Sequence, residues 1–330
     1  MINPRVSVAL PVRNGRRYIA EAVDSVLGQT LSNLELIIFD NASTDGTDDI
    51  CRRYAERDSR VRYYRSEVNR GAAWNYNRVA QLARAEYFKW MAHDDVISPR
   101  FLERCAAVLD EDPIAVACCA RTIDIDEGGC FTRARNFNLN CSDGKPHRRF
   151  HDLICINHSC FLVFAVVRLS VLRQTAMVGP YVSSDRVLLA ELALHGRLRE
   201  ADGCLLMHRE HPLRSTRAIP VLQERIAWFD PAKAGRLTFP NWRLLKEYAA
   251  CIRRAGLPAP EQILCYGQLL PWLRQNGRAL RNDLSHAARR WLRRRRRGPC
   301  EPGRRPACNA QPGLKPDAHG GTLDGQPAKT

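Results

Sequence analysis

The chain has 330 residues, which is enough for one large domain or two smaller ones, each with a proper core. Hydrophobic residues make up 45%, as in ordinary globular proteins, and the longest apolar runs fall far short of the ~20 residues that cross a bilayer, so we expect no integral membrane protein. The formal charge of +16 is uneven, because residues 289–330 hold eleven Lys and Arg against three Asp and Glu, which leaves the rest of the chain only mildly basic.

The first 120 residues alternate short apolar runs with helical periodicity. In chain order we predict strand 6–10, helix 19–27, strand 34–40, helix 47–57, strand 61–65, helix 72–83, strand 87–91, helix 99–110 and strand 115–120. Thr47 is the predicted cap of the second helix. Four β–α units in succession predict an α/β fold with a parallel, doubly wound sheet and right-handed crossovers.

The pattern becomes irregular from residue 121 onward. We predict a buried strand at 161–167, a helix at 184–195 that Gly196 stops, a short strand at 204–207 and helices through 220–292. The last 33 residues contain six Pro and six Gly with almost no large apolar side chains, which predicts a disordered tail.

Thirteen cysteines are spread along the chain without a CxxC motif or a Cys/His metal spacing. The N-terminus has no charged-then-apolar signal pattern. We therefore expect free, mostly buried thiols in a reducing cytosol, and a cytoplasmic protein.

Acidic residues end two of the predicted strands. Asp40 closes an apolar strand, and Asp94-Asp95 follow strand 87–91. Ligands of open α/β sheets bind outside the carboxyl ends of the strands, and paired acids there can hold a divalent cation against a diphosphate. The alternatives are an Asx turn at Asp40 and a helix cap at Asp94-Asp95. Two adjacent carboxylates repel each other unless a cation or a proton relieves them, which favours a binding site.

Four stretches of the chain then resemble the family 2 glycosyltransferases in order and spacing, over roughly residues 4–215. They are Pro11-Val12-Arg13-Asn14-Gly15, Phe39 to Thr47, Asn69-Arg70-Gly71 and His93-Asp94-Asp95. The resemblance implies a GT-A fold, a nucleoside-diphosphate sugar as donor and a divalent metal, Mn²⁺ or Mg²⁺.

The same resemblance implies roles for individual residues. Donor binding falls to Pro11, Val12, Arg13, Asn14, Asp40, Asn41, Ser43, Asn69, Gly71 and Asp94. Asp95 would bind the metal and Asp94 the ribose or a phosphate-linked water. His93 stands where many relatives carry an acid, so two carboxylates are left rather than three.

His211 resembles the downstream histidine of the family, which completes the metal shell or touches the diphosphate, with Arg209 offsetting phosphate charge. The alternative is an ordinary surface or core histidine.

Asp185 matches the position of the family's catalytic base at the start of a helix. Ser184 stands where the family usually has Glu, so the match is partial. In the alternative interpretation, Ser183 or Ser184 caps this helix and Asp185 only complements its dipole.

Processive members of the family carry a Gln-x-x-Arg-Trp signature. Gln268 to Trp272 lacks that Arg, so we expect one sugar to be transferred per encounter. Arg289–Arg297 holds seven Arg in nine residues, which favours docking to the inner face of an anionic membrane; nonspecific nucleic-acid binding and a solvated basic tail are the alternatives.

Together these features predict an inverting, metal-assisted glycosyltransferase of cell-envelope polysaccharide biosynthesis, acting on a hydroxyl acceptor that is a glycan, a lipid-linked molecule or a small molecule. The expected segments are a nucleotide-sugar-binding half (1–120), an acceptor and catalytic half (121–218), a helical extension (219–292) and a basic, disordered tail (293–330). A nucleotidyltransferase with similar metal aspartates and a non-enzymatic nucleic-acid-binding protein are the rival functions; we expect no specific nucleic acid.

Overall fold

The apolar runs of the chain form one mixed sheet. The structure, a computed structural model, describes residues 3–135, 139 and 141–296, with the backbone alone at 215–216 and 290–296. Among these residues the sheet has nine strands: β1 (Val6–Val12), β2 (Leu34–Asn41), β3 (Val61–Ser66), β4 (Tyr87–Trp90), β5 (Val96–Ile97), β6 (Ala115–Ile125), β7 (Phe131–Ala134), β8 (Val166–Arg168) and β9 (Arg197–Arg209). Their order is β3-β2-β1-β4-β8-β6-β9-β5, with β7 beside β6.

The sheet is mainly parallel, as predicted. Strands β3, β2, β1 and β4 pair in parallel, and β6 pairs in parallel with β9. Between these two groups lies β8, which is antiparallel to both β4 and β6, while β5 and β7 are antiparallel strands at β9 and β6. The predicted α/β architecture is confirmed, and the antiparallel strands are additions that sequence periodicity did not reveal.

The helices are α1 (Ile19–Leu27), α2 (Thr47–Arg57), α3 (Ala72–Gln81), α4 (Phe101–Glu111), α5 (Pro146–Cys155), α6 (Leu169–Leu172), α7 (Ser184–His195), α8 (Ser215–Ala218), α9 (Leu222–Phe229), α10 (Pro240–Arg254), α11 (Ala259–Gly267) and α12 (Leu269–Arg296). Two 3-10 helices span Cys160–Phe164 and Pro231–Lys233. The predicted bounds of α2 and α7 are confirmed.

Two details of the sequence interpretation are wrong. The apolar run 161–167 is not one strand, because its first part is the 3-10 helix Cys160–Phe164 and only Val166–Arg168 pairs in the sheet. A short apolar run signals burial in either conformation, so its composition does not distinguish them. Thr47 does not cap α2; instead Asp45 Oδ1 accepts hydrogen bonds from Thr47 N (3.1 Å) and from Thr47 Oγ1 (2.5 Å).

Both faces of the central strands are covered by apolar layers. Along β1, Val8 and Leu10 face the layer that contains α1 and α4, whereas Ala9 faces the layer that contains α3 and α7. Strand β2 alternates in the same way, which explains why these strands are apolar at almost every position. Each fully buried Leu or Ile contributes about 1.5–3 kcal/mol to folding.

The helices after residue 218 belong to the same compact unit, which extends from Met1 to Ala287. Tyr248 and Ile252 of α10 are buried in the core layer of α7, and Arg254 Nε lies 2.7 Å from Glu191 Oε1, a carboxylate with no solvent exposure. The boundaries predicted at 120/121 and 218/219 stay predictions.

The second unit begins at Ala288. Helix α12 continues to Arg296, four residues into the segment predicted as a tail, and the rest of that tail, 297–330, lies outside the described residues. No helix of the described chain combines the length and apolarity needed to cross a membrane. The eleven cysteines within the described ranges are free thiols, and eight of them are buried.

Candidate active site

The carboxyl ends of three adjacent parallel strands meet at one crevice. Strands β2, β1 and β4 are neighbours, and the residues after them are the sequence-predicted stretches around Asp40, Asn14 and Asp94. The loops after β1 and β4 are in direct contact, since a Cβ added to Gly15 would lie 2.6 Å from His93 Cδ2. The lack of a side chain at Gly15 therefore lets the two loops close on each other.

Hydrogen bonds hold the loops after β1 and β2 together. Asn14 N donates to Ser43 Oγ (2.9 Å), and Thr44 N donates to Asn14 Oδ1 (2.9 Å). Asn14 has a φ of 56°, in the left-handed region that Asn tolerates better than most residues. Of the other residues predicted here, Pro11 and Val12 are buried in β1 opposite Phe39 and Asp40, and Arg13 is exposed.

Asp40 ends β2 with a fully buried carboxylate. Ser43 N donates to its Oδ1 (2.8 Å), Tyr63 OH donates to its Oδ2 (3.2 Å), and Arg65 Nε lies 3.8 Å from Oδ2. Burial and the charge of Asp40 together raise the pKa of Tyr63, which keeps the phenol protonated as a donor. The turn proposed as the structural alternative is thus present, and a carboxylate has about four acceptor positions, so it does not exhaust this side chain.

Asn41 links β2 to the start of α3. Its Nδ2 donates to Asn69 Oδ1 (3.0 Å) and Gly71 O (3.2 Å), and its Oδ1 accepts from Arg70 N (3.0 Å). Gly71 has a φ of 86°, and a Cβ there would lie 2.6 Å from Phe229 O. Two independent constraints therefore require glycine where α3 begins.

Each of the tandem acids has its own histidine. Strand β5 pairs antiparallel with β9 so that Val96 lies opposite Met207, and one step further along this register brings Asp95 to His208. His208 Nδ1 lies 2.9 Å from Asp95 Oδ1, although it is not aligned as a hydrogen bond. His211 Nε2 lies 2.9 Å from Asp94 Oδ2. His211, predicted beside the metal residue Asp95, thus contacts Asp94.

The electrostatic surroundings favour the ionised form of Asp94. Burial alone would raise the pKa of Asp94, but the charges of His93 and His211 and the hydrogen bond from His211 lower it well below its usual range. Asp95 has no exposed surface; its Oδ1 accepts from Arg209 N (3.0 Å), and its Oδ2 has no hydrogen-bond partner.

Arg209 is an internal anchor. Its side chain is 1% exposed; Nε donates to Asp94 O (3.0 Å), Nη1 donates to Asp126 O and Glu127 O (both 3.1 Å), and Nη2 donates to Glu21 Oε2 (2.5 Å). The suggestion that this arginine offsets phosphate charge is therefore wrong, because all of its visible donors serve the protein. Its burial was not predictable from the basic motif around it.

Asp185 lies in the first turn of α7 and is half-buried. The predicted cap is not formed: Ser183 is left-handed at φ 65° without a side-chain cap bond, and the buried Ser184 hydroxyl has no hydrogen-bond partner. Burial, the charge of Asp185 and a hydrogen bond to it raise the pKa of the Cys160 thiol.

One phenol lies within electrostatic range of both acidic groups. The pKa of Tyr76 in α3 is raised first by burial, then by the negative charges of Asp94, Asp95 and Asp185. Sequence reasoning missed Tyr76, which stands in an unremarkable helix.

The residues at Asp95 fit a cation only in part. Nowhere in the described ranges do three or more His, Cys, Asp or Glu side chains form a metal-binding group. The unpartnered, buried Oδ2 of Asp95 is nevertheless an oxygen ligand without another function. Mg²⁺ and Mn²⁺ commonly take one or two carboxylates and complete their shell with substrate phosphates and water.

A separate groove of about 690 Å³ lies where β9 bulges, and its lining includes Arg121, Arg135, Asp202 and Cys204. None of the residues predicted for the donor or the metal lines it.

Comparison with known proteins relates the chain to a single family. The family described as Glycosyl transferase family 2 matches residues 7–173, about half of the chain. An uncharacterized glycosyltransferase of Rickettsia typhi is 35% identical over 125 residues, 37% of this chain and 38% of the relative. The putative teichuronic acid biosynthesis glycosyltransferase TuaG of Bacillus subtilis is 41% identical over 92 residues, 28% of this chain and 36% of that protein. The chain thus spans well under half the length of these relatives.

Solved structures show the same fold at low identity. TarS 1-349 of S. aureus in complex with UDP-GlcNAc is 16% identical, covers 85% of this chain and 79% of that one, and superposes with a TM-score of 0.59. The complex of TarS 1-349 with UDP gives a TM-score of 0.57 at 17% identity, over 83% of this chain and 74% of that one.

Proposed function

Since the chain belongs to glycosyltransferase family 2, we propose that it is an enzyme that moves one sugar per encounter from a nucleoside-diphosphate sugar to a hydroxyl acceptor, with inversion at the anomeric carbon. The observation that carries the proposal is the position of Asp40, Asp94 and Asp95 at the carboxyl ends of β2 and β4, on either side of β1 and its Asn14 loop. This is where an open α/β sheet binds its ligands.

The donor half of the crevice supports recognition of a nucleotide. Asp40 offers acceptor positions to the N–H groups of a base or to ribose hydroxyls, and the loop that carries Asn14 and Ser43 offers backbone groups next to it. Asn69 and Gly71 begin α3, whose N-terminus is suited to phosphate oxygens. UDP-GlcNAc in the related fold of TarS makes uridine nucleotides the first donors to test.

In the proposed transfer step the acceptor hydroxyl loses a proton and the donor loses its diphosphate. Asp185 takes the proton of the acceptor hydroxyl while that oxygen attacks the anomeric carbon, and the bond to the diphosphate breaks on the opposite side. A bound Mn²⁺ or Mg²⁺ would neutralise the charge that develops on the departing diphosphate. Asp95 would hold that ion through Oδ2. His211, the other predicted ligand, would act through Asp94, since its Nε2 lies 2.9 Å from Asp94 Oδ2.

The acceptor class is drawn from the named relatives. TuaG carries the words teichuronic acid biosynthesis in its name, which supports an acceptor from cell-envelope polysaccharide synthesis. We further propose that such an acceptor is lipid-linked and that Arg289–Arg297 brings a cytoplasmic enzyme to the inner face of the membrane, through roughly 1 kcal/mol for each Arg near anionic headgroups.

A thermal-shift screen of UDP-, GDP- and dTDP-sugars, each with and without Mn²⁺, tests the proposal. We expect one nucleotide class to raise the melting temperature by several degrees and Mn²⁺ to enlarge that shift, because a ligand that binds only the folded state stabilises it. A chain that responds to none of the sugars is not a sugar-nucleotide enzyme. Release of nucleoside diphosphate distinguishes sugar transfer from nucleotidyl transfer, which releases pyrophosphate.

A further inference from the structure

His208 is a buried polar side chain for which the proposed reaction gives no role. It is 4% exposed, and neither ring nitrogen has an aligned hydrogen-bond partner. An imidazole without such partners in a protein interior is costly, so its retention calls for a physical reason.

The position of His208 is fixed from both sides. The ring of Phe161 lies against it, with a centroid distance of 4.6 Å and an interplanar angle of 52°. On the other side Nδ1 is 2.9 Å from Asp95 Oδ1, and Nε2 is 3.8 Å from Glu210 Oε1. The imidazole thus fills the space between the 3-10 helix Cys160–Phe164 and the Asp95 carboxylate.

The two oxygens of Asp95 are thereby made unequal. Oδ1 accepts from Arg209 N (3.0 Å) and faces the His208 ring, whereas Oδ2 has no hydrogen-bond partner among the described residues. A carboxylate that could rotate about χ2 would present either oxygen. With Oδ1 bonded to Arg209 N and the His208 ring filling the space beside it, Oδ2 is the oxygen left for a cation.

We propose that His208 is a positioning residue that fixes the Asp95 carboxylate so that Oδ2 alone serves a divalent cation bound with the nucleoside diphosphate. The inference rests on the proposed function and adds to it a residue that does not touch the donor. Outer-shell partners of metal ligands typically change metal affinity 10- to 100-fold when they are removed.

The experiment measures Mn²⁺ binding directly, by loss of the electron paramagnetic resonance signal of free Mn²⁺, on the full chain with saturating UDP. His208→Leu keeps an apolar side chain against Phe161 but removes the nitrogen beside Asp95. We expect its Mn²⁺ half-saturation to rise 10- to 100-fold, while metal-free UDP binding by calorimetry stays within twofold of wild type. His208→Gln, which can place an amide N–H near Asp95 Oδ1, should fall between the two.

His195→Leu is the matched control, because His195 also has a buried, unpartnered Nε2 but lies at the end of α7 and has no contact with Asp95 among its described interactions. An unchanged Mn²⁺ half-saturation in His208→Leu at wild-type melting temperature overturns the inference and leaves the proposed function standing. If that variant does not fold, His208→Met, which also offers no nitrogen to Asp95, takes its place, and wild-type Mn²⁺ affinity in it has the same consequence. A wild-type chain that binds no UDP, GDP or dTDP with or without Mn²⁺ removes the proposed function itself.

Discussion

Asp185 lies in the first turn of α7, where its effects on catalysis and on stability can be measured separately. Its Oδ1 accepts from the adjacent Arg186 N (3.0 Å), and neither Ser183 nor Ser184 caps the helix through its side chain. We expect Asp185→Asn to lower kcat by 10²- to 10⁴-fold, because an amide cannot take the acceptor proton. Donor affinity and melting temperature should be almost unchanged, and both are measured on the same preparation.

Retained turnover in Asp185→Asn would move the search for the base to three other residues, Asp202, Glu191 and His211. The structure ranks them. Glu191 is completely buried and held by Arg254 through two hydrogen bonds, and Asp202 lines the groove at the β9 bulge. His211 next to Asp94 is therefore the first alternative to test.

The substitution Asp95→Asn tests whether Asp95 binds the divalent metal. Asn keeps an amide oxygen that can accept from Arg209 N, as Oδ1 of Asp95 does. In place of the unpartnered Oδ2 it has an amide nitrogen, which is no ligand for a hard cation. The expected result is a donor affinity that no longer responds to Mn²⁺ and a loss of turnover, with the fold intact by circular dichroism. Turnover near the wild-type rate in this variant would show that the metal assignment is wrong.

At the scale of the elements, strand β4 contains a fully buried lysine, Lys89, whose charged form is costly to remove from water. The side chain has no exposed surface; its ammonium donates to Phe164 O (2.5 Å) and lies 4.5 Å from the centre of the Phe101 ring. Burial lowers the pKa of Lys89 from 10.5 to about 8. Between pH 8 and pH 10.5 the unfolded chain therefore binds more protons at this residue than the folded chain, so its contribution to stability improves as the pH rises.

The variant Lys89→Met lacks this linkage and provides the comparison. We expect the free energy of unfolding of Lys89→Met, minus that of the wild type, to fall by about 3 kcal/mol as the pH rises from 8 to 10.5. Urea titrations of both proteins at several pH values measure the difference, and effects common to both chains cancel. A difference that is flat with pH would mean that burial does not lower the pKa of Lys89 in the folded state.

The elements also mark the limit of what sequence predicts. The end of α7 was predictable because Gly196 stops the helix, although α7 is buried on nearly every side, and the continuous apolar run of β2 correctly indicated cover on both faces. The antiparallel strand β8 was not predictable, since it enters the sheet between β4 and β6 through contacts far apart in sequence.

In the site, too, features set by neighbouring residues were predictable, whereas features set by contacts far apart in sequence were not. The acids at the ends of β2 and β4 were predicted from their own neighbourhoods. The pairing of His211 with Asp94 and of His208 with Asp95 was not, because it depends on the register of the two-residue strand β5 against β9. Tyr76 carries no motif and becomes visible only when α3 is packed against the acidic loops.

At the scale of the whole molecule, truncation tests whether the C-terminal arginine cluster binds a membrane. A chain ending at Gly298 keeps the Arg cluster, whereas a chain ending at Leu292 lacks five consecutive arginines, Arg293 to Arg297. We expect the first to sediment with vesicles containing anionic lipid and the second to stay largely in the supernatant, since about 1 kcal/mol is lost for each Arg. Binding of the longer chain should weaken with salt. Equal sedimentation of both chains would remove Arg293 to Arg297 from the membrane hypothesis.

The β9 bulge limits how this chain can change length. Opposite the consecutive residues Ala120 and Arg121 of β6, β9 moves from Ala201 to Leu205, so three of its residues have no partner there. These extra residues set which face of the strand His208 occupies. Adjacent residues of β6 face opposite sides, so Ala201 and Leu205 do so too although they are four residues apart, which means that the bulge, with Gly203 at a φ of 73°, does not keep the alternation of the strand. Natural insertions and deletions in β9 should therefore collect within these three residues and be rare after Leu205, where one extra residue would turn every later side chain, including His208, to the other face.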